Sequence, residues 1–327
     1  MTWLAWRQTR AQAVITLAAV LAVTAAAFAA GRADTTVRLW LSVLDVVLPG
    51  LLGAFWGAPL VAGELESGSF RLAWTQDVSR ARWLASRLAV TGLAAMAAAG
   101  LMSWLVTWWA GPLDRAGLDQ FGSFDSRGIV PAGYAAFAFA LGVLLGALLR
   151  RAVPAMTLTL AVFTAARLAF RLLARPVLLP PVTWALPLDP ATTGYGSSGF
   201  LPWAPPSSLQ PAAPHLPDAW VTSVAVVNGE GDALTPGELG RTCPGIGHGG
   251  GAGGGSPAGG SGHVQAPQSV VNAMHDCVAR LAATYHEVVT YQPAGRYWPL
   301  QWYELGLFLA AALLLAAACA WRVRGIG

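Results

Sequence analysis

The chain has 327 residues, of which 55% are hydrophobic and only 11% are charged. That composition excludes a single soluble domain of this length and points to a polytopic membrane protein. The formal net charge of +4 draws its positive side from arginine alone, since the chain holds no lysine, and the arginines crowd short connections between apolar runs, a topology signal rather than a nucleic-acid surface.

In chain order, Thr2 to Arg10 places Trp3, Leu4 and Trp6 beside Arg7 and Arg10, the composition of a short helix lying in the inner membrane interface. Ala11 to Ala30 is an apolar run of spanning length. Ala27-Phe28-Ala29 imitates a signal-peptidase site, but the run exceeds the roughly 7 to 15 residues of a signal core, so it reads as a retained first span. Leu41 to Ala62 returns the chain inward as a second span. Pro49, Gly50, Gly53, Gly57 and Pro59 weaken its helix and permit close backbone approach, which makes it the span expected to bend.

Between the second and third spans, the connection gathers the acids Glu64, Glu66 and Asp77 with the arginines Arg71, Arg80, Arg82 and Arg87. So polar a knot between two apolar runs must sit in water, and its arginine excess places it on the cytoplasmic side. Gly63 to Gly68 reads as a polar turn. Phe70, Leu72, Ala73 and Trp74 form a small apolar patch, and Ser79 is placed to cap the helix that re-enters the bilayer. A short exposed element held between two spans can dock a soluble partner and pass movement to them.

Trp83 to Ala110 forms the third span, with Gly92, Ala95 and Ala99 along one face as a helix-contact stripe. Pro112 to Pro131 reads as an outer loop in which Asp114, Asp119 and Asp125 offset Arg115 and Arg127. Ala132 to Leu149 is the fourth span and carries the Gly142 and Gly146 pair. Arg150 and Arg151 mark a tight cytoplasmic turn before the fifth span, Val153 to Leu173. Leu300 to Trp321 is the sixth, with Arg322 and Arg324 inside. Tryptophans agree with this layout: Trp3, Trp6, Trp83 and Trp321 fall at inner ends, and Trp40, Trp108, Trp109, Trp298 and Trp302 at outer ends.

The expected fold is therefore an all-helical polytopic membrane protein of six transmembrane helices with a large external insertion between spans five and six. Residues 1–174 hold the interfacial helix and spans one to five, with the cytoplasmic loop at 63–82. Residues 175–298 are the extracytoplasmic segment, and residues 299–327 are the last span and tail. Within the insertion, the Gly-rich run from Gly245 to Gly262 cannot build a packed core. Ala219 to Val227 reads as a strand ending in an Asn228-Gly229 turn, and Ser269 to His286 as a helix.

Chemistry-bearing patterns are few. The glycines near Gly245 do not make a phosphate loop, because the lysine such a loop needs is absent from the chain. All five histidines lie in the insertion without HExxH or CxxC spacing, which leaves no metal motif. None falls in a span, as an intramembrane metalloprotease would require. Cys243 and Cys277 both lie in the insertion and form a plausible disulfide if it is extracytoplasmic, while Cys319 lies in the last span. Four charges fall inside spans: Asp45, Arg167, Arg171 and Glu304. Such charges pair or face water, so Arg167 is expected to pair with Asp45 or Glu304, or to line a pathway, and Arg171 to reach the outer surface.

The order Glu64, Glu66, Gly68, Ser69, Leu72, Ser79 and Arg80 resembles the intracellular loop of bacterial permease subunits in the type-2 class of ABC exporters, and the six-span layout extends that resemblance over most of the chain. The insertion, long and rich in Gly and Pro, departs from the family pattern. The resemblance implies that this loop is a coupling helix seated in a groove of a separate ABC ATPase subunit, with Phe70, Arg71, Leu72 and Trp74 in the contact. It implies a non-enzymatic permease in the cytoplasmic membrane, both termini inside, paired with a second permease chain. It also implies that the chain has no cofactor of its own, ATP and Mg residing on the partner. Closure of the ATPase pair would push Glu64 to Arg80, tilt the second and third spans and open a central path outward. The competing expectation is a membrane-anchored sensor or assembly subunit that presents the insertion and transports nothing.

Overall fold

The computed structural model describes residues 35–67, 80–114, 124–189, 219–243 and 268–324, together with Ala22, Phe121 and Leu216. The expected first span, but for Ala22, and loop residues 68–79 lie outside these. The chain divides into two compact units, Met1–Pro180 with Ala294–Gly327, and Pro181–Pro293.

In the first unit, five helices among the described residues are long and apolar enough to cross a membrane: Val43–Gly63, Leu88–Trp108, Val130–Leu149, Ala152–Leu178 and Ala294–Arg322. They overlap the expected spans two to six, but the helix of span two continues to Ser67, so Gly63 to Ser67 are helical rather than the expected polar turn. Span two is built from α1 (Thr35–Leu52), a π-helical turn (Gly53–Gly57) and α2 (Ala58–Ser67). The π-turn falls where Pro49, Gly53, Gly57 and Pro59 weaken the regular ladder, in the stretch where a bend is expected. Span three is α3 (Arg80–Asp114), span four α4 (Val130–Leu149) and span six α9 (Tyr297–Arg324).

The central element is α4, which packs against spans two, three, five and six. Its small residues set how closely the neighbours approach. A Cβ added at Gly53 would lie 2.5 Å from the Ala138 carbonyl oxygen, and one at Gly57 2.5 Å from that of Phe139. Reciprocally, Gly142 faces the Gly53 carbonyl and Gly146 that of Ala58. Two glycine pairs at four-residue spacing, one on each helix, thus press backbone on backbone, where dispersion rather than hydrophobic exclusion drives association in lipid. The stripe on α3 packs similarly, with Ala95 and Ala99 buried beside Leu52 and Ala135.

Span five is α5 (Ala152–Ala169), a π-helical turn (Phe170–Ala174) and α6 (Arg175–Leu178). It runs past the expected end at Leu173. Pro176 does not stop it because it occupies the first turn of α6, where a missing backbone N–H costs little.

The second unit corrects an all-helical description. It contains a three-stranded antiparallel sheet in the order β1-β3-β2, with β1 at Val182–Pro187, β2 at Trp220–Asn228 and β3 at Tyr285–Gln292. β2 matches the expected strand, and Asn228 Oδ1 accepts from the Glu230 and Asp232 amides at 3.0 and 2.8 Å to close its turn. The expected helix 269–286 appears as α8 (Gln268–Leu281), which stops at a turn over 282–284. Tyr285 and His286 therefore begin β3, a run of β-branched and aromatic residues that suits a strand. A short helix, α7 (Pro236–Thr242), opens with a capping box between Thr235 and Glu238. Leu188, Val226, Leu239, Val278 and Leu281 surround the Cys243–Cys277 disulfide, whose Cα atoms lie 5.5 Å apart.

Candidate functional site

Span five carries arginines at positions 167, 171 and 175. Four-residue spacing would drift around a regular helix, but a π-turn advances less per residue, so the Phe170–Ala174 turn holds Arg175 near the same face. These three guanidinium groups meet acids and carbonyls from span two, span six and the loop before span four, and the Tyr134 hydroxyl of span four.

Arg175, only 4% exposed, grips Glu304 of α9 in a two-pronged pair, Nε to Oε2 at 3.0 Å and Nη2 to Oε1 at 2.9 Å. Its Nη2 also donates to Asp125 Oδ1 and, at 3.2 Å, to the Tyr134 hydroxyl. Tyr134 in turn donates to Glu304 Oε1. The Arg175 guanidinium carbon lies 4.5 Å from the centre of the Phe124 ring, adding a cation–π contact. A buried ion pair offsets its desolvation only when its remaining lone pairs and protons are met, and here Tyr134 and Asp125 meet them.

Asp125 is shared between arginines. Its Oδ2 lies 3.3 Å from Arg171 Nη1, while its main-chain carbonyl accepts from Arg167 Nη2 at 2.9 Å. Burial pushes the Asp125 carboxyl up, but the charge and hydrogen bond of Arg175, with Arg167 and Arg171 behind, outweigh it and hold the group below the usual carboxylate range.

Arg167 pairs with neither acid expected for it. It donates to the carbonyls of Val46 and Asp125 and sits 4.2 Å over the Tyr134 ring. Glu304 is taken by Arg175. Asp45 is fully buried, and neither carboxylate oxygen has a hydrogen-bond partner. Arg171 has a side chain 60% exposed.

The loop that presents Asp125 is built to hold still. Gln301 Oε1 accepts from the Ile129 and Val130 amides, both at 3.0 Å, and its Nε2 donates to the Arg127 carbonyl at 3.0 Å. Gly128 adopts φ +78°, and a Cβ there would lie 2.7 Å from Gln301 Oε1, so both conformation and space require glycine. Ser103 Oγ donates to the Gly128 carbonyl at 2.9 Å, tying the loop to span three.

Beside this cluster, a cleft of about 240 Å³ opens between spans two and five, lined by Val46, Val47, Gly50, Leu160, Phe163 and Leu168, with Asp125, Arg167 and Arg171 at one end.

At the other end of span five, Glu66 Oε1 accepts from the Ala152 amide at 3.0 Å. Arg151, the residue before the helix, makes no side-chain cap, so Glu66 supplies the acceptor that the exposed amide needs. The fourth span ends just before, with Arg150 left-handed at φ 55°. Of the other coupling-loop residues, Gly68, Phe70, Arg71, Leu72, Trp74 and Ser79 lie outside the described residues, and Glu64 and Arg80 are described for their backbone alone.

Sequence reasoning missed Arg175, Asp125, Tyr134 and Gln301. The arginine repeat at four-residue spacing was the signal for Arg175, masked by Pro176. Asp125 read as one loop acid among several. Among the described residues, no three His, Cys, Asp or Glu side chains converge as a metal site.

A family model described as ABC-2 membrane transporter related matches residues 1–175. No curated protein and no solved structure gives a significant match.

Proposed function

The chain belongs to the ABC-2 membrane transporter related family, and from that premise we propose that it is the permease subunit of an ABC exporter, driven by ATP hydrolysis on a separate subunit. The family and the five apolar helices make it a multi-pass membrane protein. In this reading it sits in the cytoplasmic membrane with the Pro181–Pro293 unit outside, and it works as a dimer of permease chains.

The observation that carries the reading is the double tie between spans two and five. At one end Glu66 accepts from Ala152, next to the loop that would meet the ATPase. At the other, Arg167 donates to the Val46 carbonyl, next to the charged cluster. Two rods joined at both ends, one with a π-turn in its middle, transmit a push on the loop to the arginines as a change of bend or tilt. The chain itself then performs no catalysis. Phe70, Leu72 and Trp74 supply the apolar docking contact, and Glu66 fixes the end of the helix that precedes them against span five.

The experiment is co-reconstitution of the chain with its ATPase in liposomes. A reducible cross-linker between cysteines placed at Val47 and Leu168, which line the cleft between the two spans and leave the Arg167 tie intact, should lock spans two and five together and suppress hydrolysis, with activity regained on reduction. Hydrolysis indifferent to the cross-link would count against the proposal.

A further inference from the structure

The cleft between spans two and five has the polarity of an amphiphile site. Its walls are mainly apolar, from Val46, Val47, Leu160, Phe163 and Leu168 with Thr164 among them, and one end carries Arg167 and Arg171 beside the single acid Asp125, an excess of positive charge. It is open rather than enclosed, for Val47, Leu168 and Arg171 along it are all exposed. Both walls are membrane-spanning helices, so a molecule of the bilayer can enter the open side laterally.

The two arginines differ in how they are held. Arg167 is anchored through two carbonyls and the face of Tyr134. Arg171 is held at 3.3 Å by a single oxygen of Asp125, a carboxylate that Arg175 already engages through its other oxygen. An incoming anion can therefore take Arg171 from Asp125 without stranding that carboxylate. Arg167 is met directly by carbonyls, while the carboxylates of Asp45 and Asp125 act on it only through space, so it adds attraction at the same end of the cleft.

We propose that this cleft binds a bilayer lipid with an anionic phosphate headgroup, the phosphate on Arg171 with Arg167 behind it and an acyl chain along Val47, Leu160, Phe163 and Leu168. Charge complementarity selects the headgroup, and the apolar walls require the chain. The inference uses only the membrane-spanning nature of the two helices, so it stands or falls apart from the transport reading.

The test is native mass spectrometry of the full chain in detergent, titrated with phosphatidylglycerol, phosphatidylcholine or glycerol phosphate. Phosphatidylglycerol should be retained in preference to phosphatidylcholine, and glycerol phosphate should not displace it. Arg171→Gln should lower retention at least about ten-fold, the loss of one charge-assisted contact, and Arg171→Lys should keep part of it. Leu168→Trp, which fills the cleft but leaves both arginines, should also lower it; its surface position spares the fold. Equal retention of the two lipids would overturn the proposal, as would displacement by glycerol phosphate or unchanged binding in both Arg171→Gln and Leu168→Trp. Copy-to-copy cross-linking through Val47→Cys with no lipid retained would assign the cleft to a second chain and overturn it as well.

Discussion

Arg175 and Glu304, 129 residues apart in sequence, form a buried two-pronged ion pair that joins the end of span five to span six. Removing Arg175 leaves the Glu304 charge buried with only the Tyr134 hydroxyl, and removing Glu304 leaves Arg175 with Asp125 as its remaining acid, whereas removing both strands neither charge of the pair. Arg175→Leu or Glu304→Leu alone should cost about 3 to 5 kcal/mol, and the double substitution clearly less than their sum. Thermal unfolding of the detergent-solubilised variants measures the difference. Additive losses would show that the pair is not coupled.

Gly53 and Gly142 let spans two and four touch backbone to backbone. Gly53→Val or Gly142→Val has no flexible side chain to push aside, only main chain and the Ala138 Cβ. Each should destabilise the membrane unit by about 1 to 3 kcal/mol or more. Gly63→Val, at a position with nothing within 4 Å, serves as the matched control and should be near neutral by the same unfolding measurement.

Much of the membrane unit was legible because its signals are local. The apolar runs mark the spans, Pro and Gly in span two foretell its irregular turn, and Gly142 with Gly146 foretells a close helix contact. The charged cluster was less legible because its partners come from five separate stretches of chain. Nothing near Glu304 in sequence identifies Arg175, and Pro176 disguised Arg175 as a loop residue. In the second unit, the amphipathic pattern continued through Tyr285, so the turn at 282–284 was hidden. Tyr285 still packs against the α8 core, but from β3.

Cys243 and Cys277 close a loop with a sequence separation of 34. On the chain-entropy account the disulfide contributes about 3 to 4 kcal/mol to the Pro181–Pro293 unit. Cys243→Ala with Cys277→Ala should therefore sensitise sites in α7 and α8 to protease in the full chain, while the membrane helices stay protected. Equal sensitivity with and without the disulfide would contradict this.

Glu287 on β3 is buried, and its Oε1 has no hydrogen-bond partner. Burial raises its pKa above the ordinary glutamate value. An acid whose folded pKa lies above its unfolded one adds stability below the unfolded pKa, and that stability is lost as pH rises through the folded pKa. Glu287 should thus favour resistance of the second unit to proteolysis more at pH 4.5 than at pH 7.5, about the ordinary glutamate value and well above it, while Glu238, held below its ordinary value by its bonds to Thr235, works in the opposite sense. Glu287→Gln should remove the part of that difference due to this group, read as resistance relative to the wild-type chain at each pH.

In the function proposed above, the chain draws its energy from a separate ATPase through residues 68–79, which follow Glu66. The most direct measurement is pull-down of the ATPase by the detergent-solubilised chain, with ATP hydrolysis assayed on the captured material. The chain alone should hydrolyse nothing, and the wild-type complex should hydrolyse ATP. The Glu66→Ala, Trp74→Ala double variant should insert normally yet capture about ten-fold less ATPase, the scale expected when a docking anchor and its support are both lost. Capture and hydrolysis at wild-type levels in that double variant would contradict the account.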